Sequence, residues 1–375
     1  MNILDYITKI DRDDISIHLP PEFLRYNTEC LNAILLISHE LTRTGAPIQL
    51  LMLAKTLSVL GYQPFVYSLS GGDLIEEFIK IGIPVICGFG PAQSVEWINE
   101  LVRDFNCIFI NTLQLSEYVR YLSISKKHIF WWIHESSFMF SESDCIGIPK
   151  SKTLKILAAS EKCSDSIRKY LNIEPTVLNI CVEDQGISSK EPSKKTVFLW
   201  AGTLDLNKAP DILLKAILNL PYNYIYSSEF IFVGHAHNNN KYAELIKTLA
   251  LKLPNTYFMD AMDHGDFLQL MNLADSVVVT SLEETMNTVA IEGLMKGKIV
   301  VCTNGCGSTR YIENDKTGFV FPVRDYQKLS EIIKYIIDNN AKLDYLRKAG
   351  RNIYESYFTF NNFKQNIEKL LNNSQ

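Results

Sequence analysis

Short, nearly unbroken apolar runs recur along the chain, each followed by a longer stretch in which apolar residues return at helical spacing. Strands facing water on one side would alternate apolar and polar; continuous runs read instead as strands of a parallel sheet covered by helices on both faces. The first half holds such runs at 33–38, 64–67, 84–87, 107–111, 129–133 and 154–158, and the second at 196–201, 230–233, 256–259, 276–280, 299–303 and 318–321. Between the halves the pattern lapses in "VEDQGISSKEPSKK", residues 182–195, a polar stretch rich in Ser and Lys with one Gly and one Pro. The pattern predicts an α/β protein of two Rossmann-like, doubly wound parallel-sheet domains, 1–185 and 186–357. A terminal helix over 358–373 carries its stripe on Phe360, Phe363, Ile367, Leu370 and Leu371 and is expected to pack back on the first domain. Residues 1–30 precede the first predicted strand and receive no role.

Length and composition agree with two cores. A chain of 375 residues exceeds the size at which one core keeps growing, and 47% hydrophobic against 21% charged residues can fill two. The net charge of -5 provides no global field to gather nucleic acid or an anionic membrane, so a polyanionic ligand must meet a local site. The eight cysteines are scattered, mostly within apolar runs, as expected of thiols in a reducing cytosol. Cys302 and Cys306 stand close, but a C-x3-C without further ligands is a poor metal site. No apolar run is long enough to span a bilayer, and residues 1–12 are too charged for a signal peptide, so a cytoplasmic protein is expected.

Open sheets of this kind bind ligands outside the carboxyl ends of their strands, which directs attention to three loops. In "ILLISHELTRTGAP" a strand leads to Gly45, with Pro47 in the first turn of a helix, an arrangement whose free N–H groups and dipole favour phosphate. It equally suits a plain strand-to-helix turn. In "VFLWAGTLDLNKAPDILL" Gly202 ends a strand, Lys208 follows in the loop and Pro210 opens a helix; Lys208 is either a point charge for a diphosphate or a solvated surface lysine. In "SLEETMNTVAIEGLMKGKIVV" Glu284 is expected in the loop beside the amides of Thr285, Met286 and Asn287, with Glu292 inside a helix over 286–296. Eight residues turn a helix about 80° past two full turns, so the two carboxylates do not stack on one face. They are expected to address opposite ends of one ligand, a carboxylate being a natural grip for vicinal ribose hydroxyls.

Together these residues resemble glycosyltransferase family 4, the retaining sugar-nucleotide transferases of the GT-B fold, whose two Rossmann-like domains face a central cleft. The likeness rests on Ser281, Glu284, Glu292, Gly297, Lys298 and Val300, extends to Gly202, Leu204, Lys208, Gly305, Gly307 and "KTGFVFPVRD", and reaches the first half through "SHELTRTGAP" and "FWWIHES". It implies that Lys208, Gly202, Thr203 and Gly45 meet the donor phosphates. Glu284 with Thr285, Met286, Asn287 and Thr288 would hold the sugar, Glu292 the ribose, and His134 would stand near the sugar or acceptor. His134 also fits a buried, satisfied histidine. Catalytic roles fall to Glu284, His134 and Lys208, with the leaving diphosphate taking the acceptor's proton and configuration retained. The resemblance implies a UDP- or GDP-sugar donor, as a substrate and not a cofactor, and no metal. It also implies a glycan, lipid-linked or protein acceptor, for a bacterial enzyme of the cytoplasm with peripheral association at the inner face of the membrane. Two positions depart from the family: Thr203 replaces a usual arginine, and Arg310 a frequent glutamate.

Other clusters carry less. Asp11 and Asp13 form a D-x-D with no strand before it, His235 and His237 lack a third and fourth metal ligand, and Asp260, Asp263, His264 and Asp266 read as a helix start. The rival functions are a non-catalytic GT-B subunit, favoured by Thr203, and a GT-B sugar-nucleotide epimerase. A nicotinamide enzyme is disfavoured, because no G-x-G-x-x-G follows a strand.

Overall fold

The computed structural model describes residues 15–21, 32–88, 95–187, 195–236 and 240–373. The pair Asp11/Asp13, His237 and half of the 182–195 stretch lie outside them. The chain divides into two compact units, Met1–Cys181 with Phe360–Gln375, and Val182–Thr359.

Among its described residues the first unit holds eight strands: β1 (Ser16–His18), β2 (Ala33–Ser38), β3 (Gln63–Ser68), β4 (Val85–Cys87), β5 (Cys107–Asn111), β6 (His128–Ile133), β7 (Leu154–Ala158) and β8 (Thr176–Val177). Their order is β1-β4-β3-β2-β5-β6-β7-β8. All pairs are parallel except β1 with β4. Strand β1 corrects the expectation that nothing before residue 33 joins the sheet. Three residues at an edge carry too little pattern to stand out, and pairing with Val85–Cys87 supplies what their sequence lacks. The parallel strands are buried along most of their length, as their unbroken apolarity requires. The closing helix Phe360–Asn372 packs in this unit, buries Phe363, Ile367, Leu370 and Leu371, and stacks Phe363 on Trp132 with ring centroids 5.7 Å apart.

The second unit holds β9 (Thr196–Ala201), β10 (Ser228–Val233), β11 (Thr256–Met259), β12 (Ser276–Val279), β13 (Ile299–Thr303) and β14 (Phe319–Phe321), all parallel, in the order β11-β10-β9-β12-β13-β14. Among the parallel strands of each sheet the order reverses once, between β2 and β5 and between β9 and β12. At such a switch point the flanking crossovers leave on opposite faces, and a crevice opens at the strand ends. The loops after β9 and β12 are those that carry Lys208 and Glu284. Among the described residues no helix is long and apolar enough to cross a membrane.

Candidate functional site

In the second unit the loops after β9 and β12 meet through side chains. Lys208 Nζ lies 2.8 Å from Glu284 Oε1, with the lysine side chain 28% exposed and the glutamate 11%. Burial alone would lower the lysine's pKa, but the Glu284 carboxylate outweighs it and holds the ammonium charged. Glu284 Oε1 also accepts from the Ser281 hydroxyl, and its Oε2 accepts from Asn287 Nδ2 at 2.9 Å. The carboxylate is thus fixed on both oxygens before any ligand arrives.

The backbone beneath is tied as closely. Trp200 Nε1 on β9 donates to Thr280 Oγ1 (2.8 Å), which donates to the Lys208 carbonyl (2.7 Å). Asn207 takes the Leu282 amide on its carbonyl (2.7 Å) and donates from Nδ2 to the Glu283 carbonyl (2.9 Å). Ala209 sits at φ 47°, a left-handed conformation that few non-glycine residues adopt, so the chain turns sharply between Lys208 and Pro210, the first residue of the Pro210–Leu218 helix. On the other side, Glu284 N donates to Gly305 O (3.1 Å) and Gly307 N to Glu284 O (2.9 Å), which seats the glutamate as a short parallel bridge against Cys306. A Cβ on Gly305 would lie 2.1 Å from Leu282 O, so this approach requires glycine.

The helix carrying Glu292 runs Thr288–Met295 and not 286–296. Asn287 is its N-cap: Oδ1 accepts from Ala290 N at 2.9 Å, and a capped turn cannot begin two residues earlier. Asn287 therefore serves two partners, the helix end through its oxygen and Glu284 through its nitrogen. Thr285 and Met286 remain in the loop before this cap, and Thr288 opens the helix. Glu284 lies outside the helix altogether, so the two carboxylates are separated by chain conformation more than by helical phase. Glu292 is buried, with 4% of its surface exposed. Its Oε1 meets His264 Nε2 at 2.6 Å, a contact across 28 residues that no local pattern announces. His264 is the first residue of the His264–Leu273 helix, as the run of Asp residues around it suggested. Thr203 follows Gly202 in the loop after β9, and Arg310 is exposed on the turn after β13. Among the described residues no group of three or more His, Cys, Asp or Glu side chains could hold a metal ion. Cys302 and Cys306 are buried free thiols.

The first unit has its own polar cluster at the β2/β5 switch point, part of which sequence reasoning missed. Asn111 Nδ2 donates to the Ala46 carbonyl (3.1 Å), which turns Oδ1 toward His134 Nε2 (2.9 Å). An amide oxygen only accepts, so His134 carries its proton on Nε2. Its ring lies 4.4 Å from that of Trp132. Thr112 holds φ 97°, a strained value for a β-branched residue. Three bonds keep it there: its amide to Trp132 O (2.8 Å), its carbonyl from Trp131 Nε1 (2.8 Å), and its hydroxyl with His39 Nδ1 (3.1 Å). Gly45 opens the Gly45–Val59 helix, and a Cβ there would meet nothing within 4 Å.

Burial, with a smaller push from His39, lowers the His134 pKa to about 3, while burial raises that of Glu135 to about 7. Unfolded His134 binds a proton below 6.5, which the folded residue refuses until about 3, so its stabilising contribution is present above 6.5 and lost as pH falls. Glu135 runs the other way: its contribution is full below 4.5 and lost as pH rises through about 7. Between these limits the two slopes oppose. His134→Gln should therefore gain stability relative to the unsubstituted protein as pH is lowered from 7 to 5, on the order of 1 kcal/mol. Urea denaturation of both proteins at several pH values measures this, and parallel pH profiles would sink the assignment.

Comparison with known proteins yields two family profiles. That of "Glycosyl transferases group 1" matches residues 183–353. That of "Glycosyl-transferase family 4" matches residues 32–180. The glycogen synthase of Mycobacterium tuberculosis (strain ATCC 25618 / H37Rv) is 29% identical over 103 residues, 28% of this chain and 25% of that protein. The D-inositol 3-phosphate glycosyltransferase of Nocardioides sp. (strain ATCC BAA-499 / JS614) is 24% identical over 168 residues, 41% of this chain and 37% of that one. The matches thus span well under two thirds of these relatives' own length. Among solved structures, Anabaena Alr3699/HepE in complex with UDP superposes with a TM-score of 0.78 at 20% identity, covering 91% of this chain and 100% of that one. A glycosyltransferase from Rickettsia africae ESF-5 superposes at 0.77 with 19% identity, covering 92% and 98%.

Proposed function

Because the chain belongs to glycosyltransferase family 4 and has the GT-B fold of two Rossmann-like domains, we propose that it is a retaining enzyme moving a hexose or related sugar from a nucleotide donor to a glycan, lipid-linked or protein acceptor. The observation that carries this reading is the Lys208–Glu284 pair, held at the carboxyl ends of β9 and β12 with Ser281 and Asn287 around it. Lys208 presents a fixed cation to the diphosphate, on which negative charge grows as the glycosidic bond breaks; a preorganised charge stabilises that state without waiting for solvent to reorient. Glu284 supplies an oriented carboxylate for sugar hydroxyls, and Glu292 one for the ribose. From the first unit, the Gly45 helix terminus and the neutral, Nε2-protonated His134 are assigned to phosphate and sugar or acceptor. Lys208 thereby does without a metal what leaving-group stabilisation requires. UDP is favoured over GDP as the nucleotide, in line with the Anabaena structures solved with UDP and with UDP-glucose.

Thr203 favours one rival, a GT-B subunit without activity, because it lacks the cation the family usually places there. Purified protein incubated with UDP-, GDP-, ADP- and dTDP-sugars tests both. Hydrolysis or transfer from one donor, with a rise in melting temperature on adding its nucleoside diphosphate, is expected. Absence of turnover from every donor, with no rise in melting temperature, overturns the enzyme. Interconversion of the free donor without acceptor would make it an epimerase.

A further inference from the structure

Glu292 is a buried carboxylate bonded to a surface histidine. Its side chain is 5% exposed and that of His264, bonded to it at 2.6 Å, is 59% exposed. The two come from different parts of the sheet, since His264 opens the helix after the edge strand β11 whereas Glu292 lies in the helix between β12 and β13. A carboxylate only accepts, so His264 Nε2 is the donor. We infer that His264 is a positioning residue for the nucleoside of the donor: it fixes the rotation of the Glu292 carboxylate so that the remaining oxygen positions face two vicinal ribose hydroxyls. This inference rests on the reading of Glu292 as the ribose-binding residue.

The physical need is specific. The terminal torsion of a glutamate is broad and roughly two-fold, so burial alone does not select the plane of its oxygens. A charge-assisted bond to one oxygen does, and it also offsets the cost of keeping the carboxylate ionised out of water. An ionised carboxylate has about four lone-pair positions; His264 occupies one, which leaves enough for a pair of hydroxyls. The His264 side chain is itself 59% exposed, so the bond that orients Glu292 is made from the surface of the second unit.

The test measures binding of UDP, GDP and ADP, each beside its 2′-deoxy analogue, to the unsubstituted protein, His264→Ala and His264→Gln, together with steady-state kinetics on the active donor. His264→Ala is expected to weaken the ribonucleotide and raise KM by about tenfold, with kcat at saturating donor changed by less than about twofold. Glutamine, which keeps an N–H donor, should recover most of the loss. Against the 2′-deoxy analogue the alanine variant should lose distinctly less, because one of the two hydroxyls that read the carboxylate's orientation is gone. Equal losses for ribo- and deoxynucleotide would make His264 a structural residue and overturn the inference. So would unchanged affinity, or tighter binding, which would mean that the imidazole occupies the ribose's place. If the unsubstituted protein binds none of the three nucleotides, the donor reading itself fails and the inference falls with it; binding that ignores His264 overturns the inference alone.

Discussion

Glu284→Gln should leave the second unit folded and lower kcat at saturating donor by about 10²–10³, the usual cost of removing one preorganised electrostatic contact from a transferring centre. Glutamine keeps an oxygen for the Lys208 ammonium and the Ser281 hydroxyl and gives up only the bond from Asn287 Nδ2, so the loop keeps most of its anchors while the charge disappears. Glu284→Ala is the harsher change. It leaves the Lys208 ammonium, 28% exposed, without the carboxylate 2.8 Å away, and breaking one half of a largely buried pair costs about 3 kcal/mol of stability. Turnover lost in the alanine variant therefore mixes chemistry with unfolding, whereas the glutamine variant separates them. The measurement is kcat and KM for the donor beside a thermal melt of each variant. Full activity in Glu284→Gln would remove Glu284 from the chemistry and revive the non-catalytic reading. Glu292→Ala should behave differently, raising KM with little change in kcat, because its oxygens are assigned to ribose and not to the reacting sugar. If the two substitutions slow saturated turnover equally, that division fails.

The second large effect is steric. Gly305→Ala should destabilise the second unit by about 3 kcal/mol, the upper part of the range for overpacking, and abolish donor turnover in whatever protein remains folded. The added methyl would sit 2.1 Å from Leu282 O and 2.8 Å from Val323 Cγ2, and backbone on one side leaves no flexible side chain to swing away. Relief must come from moving the 282–284 segment, which Glu284 N anchors to Gly305 O at 3.1 Å and Gly307 N anchors in return. Moving that segment carries Glu284 away from Lys208 and Asn287. Urea unfolding and donor kinetics on the same preparation check both parts. A variant with unaltered midpoint and activity would show that the 282–284 segment yields at no cost and does not set the site.

Much of this could be read from residue order alone. Twelve apolar runs were expected as strands, and every one is observed with ends shifted by no more than two residues. Strands buried on both faces announce themselves by composition, since polar residues have no place along them. The exceptions are instructive: β1 and β8 are three and two residues long, too short to carry a pattern, and exist because a neighbouring edge offers unpaired N–H and C=O groups. The Glu292 helix starts at Thr288 and not at Met286, because the Asn287 side chain stops it there by capping it. His39, Thr112 and Glu135 went unnoticed beside His134, each being an ordinary polar residue at a strand end until β2, β5 and β6 are set side by side.

By itself the sequence determined the α/β class and the positions of the strands, because apolar runs and their terminating glycines and prolines are local consequences of burial and backbone geometry; it put forward Lys208, Glu284 and Glu292 as candidates through a family resemblance. Only the tertiary structure decided which of these groups meet. Lys208 and Glu284 stand 76 positions apart and Glu292 and His264 stand 28 apart, yet each pair is brought within 3 Å. The reason is that sheet order, unlike strand position, is set by how helices cover both faces at once. The reversal between β9 and β12 is a property of the packed sheet that no single stretch of chain contains.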